Sequence, residues 1–338
     1  MKTDAAAPAA EIRDLVLRPF AGEADLEAMV RVVNAENEAD SISERDTVEG
    51  LRAYLGSPSE HFDSARDVFV AEMDGHVVAW ASQEWVDTRD GEFREYRVWG
   101  AVEPSYRRRR IGTALLVENE RRARALAATH DAGRESVFGA WAADGRSGAT
   151  LLDRSGYSVV RWFFDMVRPT LDALPDVALP DGFELRPVTP EQYPEIWRAN
   201  REAFRDHWGG SDESEAAMRR FFGAPDSDPS LWLIAWDGEQ IAGGVINTIH
   251  PEENEALGTR RGWLDSVFTR RAWRRRGLAR VLIARSLVVL RDRDMTSAAL
   301  GVDADNPSGA LGLYEEAGFE IDDRFTSRRK PMEGSPST

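Results

Sequence analysis

Residues Trp273 to Leu282 read WRRRGLARVL, and residues Asn306 to Phe319 read NPSGALGLYEEAGF. Just before the first string, Trp263 to Thr269 (WLDSVFT) is rich in β-branched and aromatic residues and predicts a strand. Within and after it, Leu278, Val281, Leu282 and Val289 recur at helical spacing, so the order is strand, basic Gly-containing turn, helix. Gly277 and the small Ala279 leave room for an anion to approach the backbone, where a larger Cβ would block it. Backbone N–H groups of the first helical turn, together with the helix dipole, suit phosphate oxygens. Arg274, Arg275, Arg276 and Arg280 add charge where a pyrophosphate or a 3′-phosphate would sit. The second string predicts another helix, with Asn306 as its N-cap and Pro307 at its first position.

The same pattern occurs twice. Tyr106 to Leu115 (YRRRRIGTAL) lies 273 − 106 = 167 positions before the first string, and Asp144 to Tyr157 (DGRSGATLLDRSGY) lies 306 − 144 = 162 positions before the second. Leu17-Arg18-Pro19 recurs as Leu185-Arg186-Pro187. Asp74-Gly75 recurs as Asp237-Gly238, each pair joining two apolar runs as a hairpin turn would. Four landmarks in one order at nearly constant offset indicate an internal duplication. Pro169 to Gly182 (PTLDALPDVALPDG) has three prolines and no periodicity, and reads as a linker between an N-terminal domain at 12–168 and a C-terminal domain at 183–330. The copies differ in chemistry: Arg110 stands where the second has Gly277, Leu152 where it has Tyr314, and Asp144 where it has Asn306. The first copy is therefore expected to be structural or substrate-shaping and the second to be the working one.

On these residues the chain resembles the GNAT family of acyl-CoA-dependent N-acyltransferases. The resemblance rests on RRRGLA from Arg274 to Ala279, and on Asn306, Tyr314 and Gly318-Phe319. It implies an α+β fold of two tandem GNAT-like domains packed as a pseudo-dimer within one chain. Each would have a mixed, mostly antiparallel sheet flanked by helices, and the strand before the loop would splay from its neighbour to admit the pantetheine of acetyl-CoA. Carried over by position, the loop from Arg274 through Arg275, Arg276, Gly277, Leu278 and Ala279 to Arg280 cradles the pyrophosphate. The strand residues Val267, Phe268 and Thr269 pair with the pantetheine arm, Asn306 holds that arm, and the Tyr314 hydroxyl faces the sulfur. Members often have Pro three residues before the first loop Arg; Arg271 occupies that place here, which implies a looser strand exit.

The implied reaction is acetyl transfer from acetyl-CoA to the primary amine of a small molecule. Proton transfer from an ordinary phenol to a thiolate is uphill by about 1.5 pKa units, roughly 2 kcal/mol, so Tyr314 suits a hydrogen-bond donor to the leaving sulfur. A protonated amine also needs a base. By the strand period of two, Asp265 falls on the face of Val267 and Thr269 and is the first candidate, and His207, in RDHWGGSDE, is the second. Tyr314 also fits as a packed helix-end aromatic, and Trp197, Trp208 and Trp232 as core or pocket wall. Two other activities share such folds: aminoacyl transfer from charged tRNA, and acyl-CoA-responsive regulation without catalysis.

Composition narrows the field. The 338 residues, 42% of them hydrophobic, suffice for two ordinary domains. The absence of cysteine removes disulfides, thiolate metal sites and a cysteine nucleophile. His61, His76, His130, His207 and His250 show no metal-ligand spacing, so no metal is expected. A net charge of −16 opposes a nucleic acid partner. The apolar run Val281–Leu290 is interrupted by Arg285 and falls well short of the roughly 20 residues that span a bilayer. MKTDAAAPAAE has no apolar secretory core, and a cytoplasmic location is expected, with a disordered N-terminus and a disordered tail at 334–338.

Overall fold

A computed structural model describes residues 12–131, 133–306 and 309–332. The expectations for the N-terminal segment and the tail, and the placing of Pro307, fall outside them. The chain forms two compact units.

The first unit comprises the described residues up to Val160, Gly209–Arg220 and those from Thr326 onward. Its elements are β1 (Val16–Pro19), α1 (Glu23–Asp40), α2 (Val48–Leu55), α3 (Ser64–Asp67), β2 (Val68–Met73), β3 (His76–Asp87), β4 (Phe93–Val102), α4 (Ile111–Ala127), β5 (Glu135–Ala143) and α5 (Ser147–Arg154). β6 (Ser158–Arg168) starts in this unit and continues into the second. The second unit, Arg161–Trp208 with Phe221–Phe325, carries β7 (Glu184–Arg186), α6 (Tyr193–Ala203), β8 (Leu233–Asp237), β9 (Gln240–Ile249), α8 (Pro251–Leu257), β10 (Arg261–Thr269), α9 (Leu278–Arg291), β11 (Ser297–Asp303) and α10 (Ala310–Glu316). Two further elements are divided between the units: α7 (Glu215–Phe222) and β12 (Glu320–Pro331).

Within the first unit the strand order is β1-β2-β3-β4-β5-β12, and within the second β6-β11-β10-β9-β8-β7. Each sheet has one parallel pair, β4/β5 and β10/β11, among antiparallel neighbours, so the fold is α+β with a mixed sheet and flanking helices. Both Asp-Gly landmarks make tight hairpins. Asp74 and Gly75 take φ of 52° and 76° between the paired Met73 and His76, as a type I′ turn requires, and Gly238 takes φ 58° between the paired Asp237 and Gln240.

The outer strands depart from the division of the sequence into halves. The last strand of the first unit is the end of the chain: the Thr326 hydroxyl donates to Ala142 O at 3.2 Å and Met332 N to Ser136 O at 3.2 Å, so β12 runs antiparallel to β5. In the second unit, β11 pairs with Phe163 to Arg168 of β6. Thr326, Ser327 and Arg328 are buried, and Lys330 reaches inward to Glu120 Oε1 at 2.7 Å. Glu120 also accepts from the Tyr157 hydroxyl at 3.2 Å and from Arg124 at 3.1 Å.

The core of the second unit forms between α9 and the sheet. Leu278, Leu282, Ile283, Leu287 and Leu290 pack on Leu264, Ala298, Leu300, Val302 and Met166. Gly262 lacks a side chain where α9 presses on β10: a Cβ there would lie 2.4 Å from a methyl of Leu290. The segment 169–182 has no helix or strand, but its Leu171, Leu174 and Leu179 join this core.

Because Lys330 is the C-terminal partner of the buried Glu120, Lys330→Ala is expected to cost about 2 kcal/mol, below the 3–5 kcal/mol of a fully buried pair because the lysine is partly exposed. Thermal unfolding with hydrogen exchange checks it: protection should fall in β5 and α4, and unchanged protection there would refute the role given to β12.

Candidate active site

β10 and β11 run side by side for three residues only, Arg261 to Trp263 against Ser297 to Ala299, and Leu264 to Thr269 then part from β11 while staying paired to β9. The expected splay is present. The first unit repeats it, with β4 paired to β5 from Phe93 to Arg97 and unpaired beyond.

The loop after β10 turns through a 3₁₀ segment at Arg271–Trp273 and reaches α9 by way of two left-handed residues, Arg275 (φ 64°) and Gly277 (φ 81°). The first unit makes the same turn with Pro104–Tyr106, Arg108 (φ 63°) and Arg110 (φ 65°). Pro104 thus stands where Arg271 stands, and the looser exit expected from the missing proline is not observed. Arg270 ties the exit down, its backbone N–H bonding Ala242 O at 2.9 Å, and its side chain donating to Ile241 O at 2.8 Å and to Glu202 at 2.7 Å.

Gly277 is the N-cap of α9, and no side chain caps that first turn. A Cβ on Gly277 would meet nothing within 4 Å, so this residue borders open space beside uncapped N–H groups. The arginines of the loop divide. Arg274 is an internal strut, donating to Asp206 at 2.8 Å, Ala203 O at 2.9 Å and Thr269 O at 3.2 Å. Arg107, its counterpart, is used in the same way, on Asp40 at 2.7 Å and Glu36 at 3.1 Å, both on α1. Arg276 lies over the Phe183 ring, and Arg280 pairs with Glu316. Arg275 is exposed and makes no ion pair among the described residues. Of the four arginines expected to add charge here, Arg275 alone makes no ion pair or ring contact among the described residues.

On α10, Tyr314 has a buried ring in edge contact with Phe319 and a hydroxyl without a hydrogen bond among the described residues. Burial pushes its pKa up to about 12. Proton transfer to a thiolate is then uphill by roughly 3.5 units, about 5 kcal/mol, which strengthens the reading as a hydrogen-bond donor. The register with Leu152 holds: Phe319 N bonds Tyr314 O, and Tyr157 N bonds Leu152 O, both at 3.0 Å, with Gly318 and Gly156 left-handed in between. Asn306 is not the N-cap of α10; Gly309 is, at φ 73°. Asn306 instead closes the turn after β11, its N–H bonding Asp303 O at 3.1 Å.

A β-bulge interrupts the β9/β10 register between Leu264 and Ser266, and it re-aims Asp265. Asn247 opposite Leu264 faces α9, where its amide reaches Ser286 Oγ at 3.1 Å. Thr248, the next residue, faces the other side, and its hydroxyl donates to Asp265. Ser266 receives the Asn200 amide of α6 at 2.7 Å, whereas Val267 packs on the α9 core. Asp265 and Ser266 therefore share the α6 face. The face expected for Asp265 from strict alternation, that of Val267 and Thr269, is corrected by the extra residue of the bulge. Asp265 is open to solvent but hemmed in by protein, and the resulting desolvation raises its carboxyl pKa against the lowering effect of the Thr248 bond.

The same face carries groups that sequence spacing did not single out. His250 Nδ1 lies 2.8 Å from Asp226 Oδ2, and the Trp263 indole donates to Glu253 at 3.3 Å. Tyr193, Phe222 and Trp232 form an aromatic cluster with centroids 4.5 to 5.6 Å apart, which Trp197 extends. His207, the second base candidate, lies tilted against Phe204 with ring centroids 4.3 Å apart, at the point where the chain leaves this unit for the segment Gly209–Arg220 of the first. Thr269 Oγ1, at the end of β10, is buried without a partner. Among the described residues no cluster suited to a metal ion occurs, and no helix is long and apolar enough to cross a membrane.

An open parallel splay followed by an uncapped, left-handed turn into a long helix defines an acyl-CoA-dependent transferase fold. The sequence profile described as the acetyltransferase (GNAT) family matches residues 29–135 and 193–319, and the chain belongs to that family, with acetyl-CoA as acyl donor. The chain is 29% identical over 316 residues to a mycothiol acetyltransferase of Geodermatophilus obscurus, covering 91% of this chain and 94% of the relative. With proteins of the same name it is 30% identical in Salinispora tropica, covering 88% and 89% of the two chains, and 32% identical in Rhodococcus erythropolis, covering 75% and 80%. In fold it is similar to a GCN5-related N-acetyltransferase from Sphaerobacter thermophilus, with TM-score 0.70, 24% identity, and 96% and 98% of the chains covered. It is also similar to a tandem GNAT protein from the clavulanic acid biosynthesis pathway, with TM-score 0.67, 18% identity, and 96% and 100% covered.

Arg110 shows that this turn accepts arginine at positive φ, so Gly277→Arg should fold, at a cost of about 1–2 kcal/mol. Titration calorimetry should find acetyl-CoA affinity reduced by ~10²-fold or more, and unchanged affinity would refute a phosphate site there.

Proposed function

We propose that the acetyl transfer takes place in the C-terminal half, on the primary amine of a small molecule, with 12–168 as a degenerate copy, 169–182 as linker and 183–330 as the working domain. The observation that carries this reading is the asymmetry of two equal backbones. Turn, splay and helix end repeat in both units, yet only the second has bare backbone at Gly277 and a phenol at Tyr314. In this reading the N–H groups at Gly277 to Arg280, with Arg275, hold the pyrophosphate. The strand Val267 to Thr269, whose orphaned Thr269 hydroxyl supports a polar ligand nearby, takes the pantetheine arm, and Asn306 holds the arm from the other side.

The amine nitrogen attacks the thioester carbonyl, a backbone N–H of the Val267–Thr269 segment stabilises the oxyanion, and the departing sulfur receives a hydrogen bond from Tyr314. The carboxylates Asp226, Glu253 and Asp265 on the α6 face suit a cationic acceptor. The shared name of the curated relatives makes a mycothiol-related amine the first acceptor to try. The cytoplasm, where acetyl-CoA and a cysteine-free chain are at home together, is the proposed location.

Tyr314→Phe should lower kcat by ~10²-fold and leave acetyl-CoA affinity nearly intact, because the ring still packs. Leu152→Tyr should change neither. Loss of thioester absorbance with a panel of primary amines measures both, and full turnover by Tyr314→Phe would remove the tyrosine from the mechanism.

A further inference from the structure

Acetylating an ammonium releases one proton per turnover, and the α6 face of the second unit holds a pair of side chains arranged to take it. His250 leaves β9 two residues after Thr248 and precedes α8. Its Nδ1 is 2.8 Å from Asp226 Oδ2, its Nε2 has no hydrogen-bond partner among the described residues, and the pair is half-buried. A carboxylate on Nδ1 selects the tautomer that donates there and leaves the Nε2 lone pair as acceptor. Thr248 meanwhile donates to Asp265 and fixes the position of that carboxyl group. Thr248, near the end of β9, and His250, just beyond it, thus present two different groups: an anchored carboxyl group and an oriented imidazole with a vacant nitrogen.

We propose that His250, oriented by Asp226, accepts the proton of the acceptor amine, directly or through one water, while Asp265 holds the incoming ammonium by charge. The inference deepens the placing of the chemistry in the C-terminal half and rests on it. The step balances: the ammonium gives one proton to Nε2, and the freed lone pair forms the C–N bond. The C–S bond breaks with its electron pair on sulfur, and the sulfur takes up the proton lost by the nitrogen as the tetrahedral intermediate collapses. The proton on the imidazolium passes to solvent, so acetyl-CoA and ammonium become amide, free thiol and one proton. Among the described residues, Asp226 from the segment after α7 and Asp265 from β10 are the charged groups placed beside the imidazole, while Glu253 of α8 is held by the Trp263 indole.

The test measures thioester loss across pH 5.5–9.5, on the order of the range over which imidazole and amines titrate. The probes are cysteine amide, glucosamine and spermidine, and the fastest of them is used throughout. His250→Gln should lower kcat/KM for the acceptor by ~10²-fold at neutral pH with calorimetric acetyl-CoA affinity unchanged. Its acid-side fall should also move to higher pH, activity now following the free-amine fraction. Asp226→Asn, which keeps the side-chain volume, should lower kcat/KM for the acceptor with acetyl-CoA affinity unchanged, because an amide accepts either tautomer of the imidazole and no longer fixes a free Nε2 lone pair; a purely structural role would leave kcat/KM in place. An unaltered limb and unaltered kcat/KM in His250→Gln overturn the inference. If that variant does not fold, an unaltered kcat/KM in Asp226→Asn overturns it. Tyr314→Phe separates the two levels: impairment there with His250→Gln intact rejects the proton acceptor alone, whereas no effect of either rejects the C-terminal site.

Discussion

The site depends on a ladder left unfinished. β10 and β11 exchange backbone hydrogen bonds over three residues and then diverge, so that Leu264 to Thr269 has a β9 partner on one edge and, among the described residues, no strand partner on the other. Backbone donors and acceptors exposed in a cleft call for partners, and an extended amide-containing arm is the ligand that can continue a strand's pairing. The parallel direction of β11 is what makes the opening possible. A parallel neighbour arrives by way of a crossover helix, here α9, whose apolar face grips the paired end through Leu290 against Gly262 and leaves the far end to part.

Backbone and side chain have separated in the evolution of the two halves. The left-handed pairs Arg108/Arg110 and Arg275/Gly277 show that the loop geometry persists whether or not glycine is present, at the cost of a strained residue in the first copy. The first arginine of each loop braces it against the preceding helical segment. What distinguishes the copies is therefore confined to what projects into the cleft: an arginine side chain against none, a leucine against a phenol of equal burial. The sheets meanwhile take their outer strands without regard to the sequence division, since β12 completes the first unit's sheet and β6 the second's. Neither half of the sequence carries a whole sheet.

Much of this was legible in the order of residues. Strand, turn and helix around Gly277, the duplication, the Asp-Gly hairpins and the register that places Leu152 on Tyr314 follow from local rules: periodicity, positive-φ preference and turn chemistry act over a few neighbouring residues. Tertiary structure alone decided the rest. A one-residue bulge is invisible to a pattern of two, yet it sets Asp265 and Ser266 together on the α6 face and apart from Val267. The pairing of His250 with Asp226, 24 residues away, has no sequence signature. Nor does the fate of the loop arginines: charge count is a property of the string, whereas which guanidinium remains free depends on where Asp206, Ala203 O, Phe183 and Glu316 come to lie once the chain is folded.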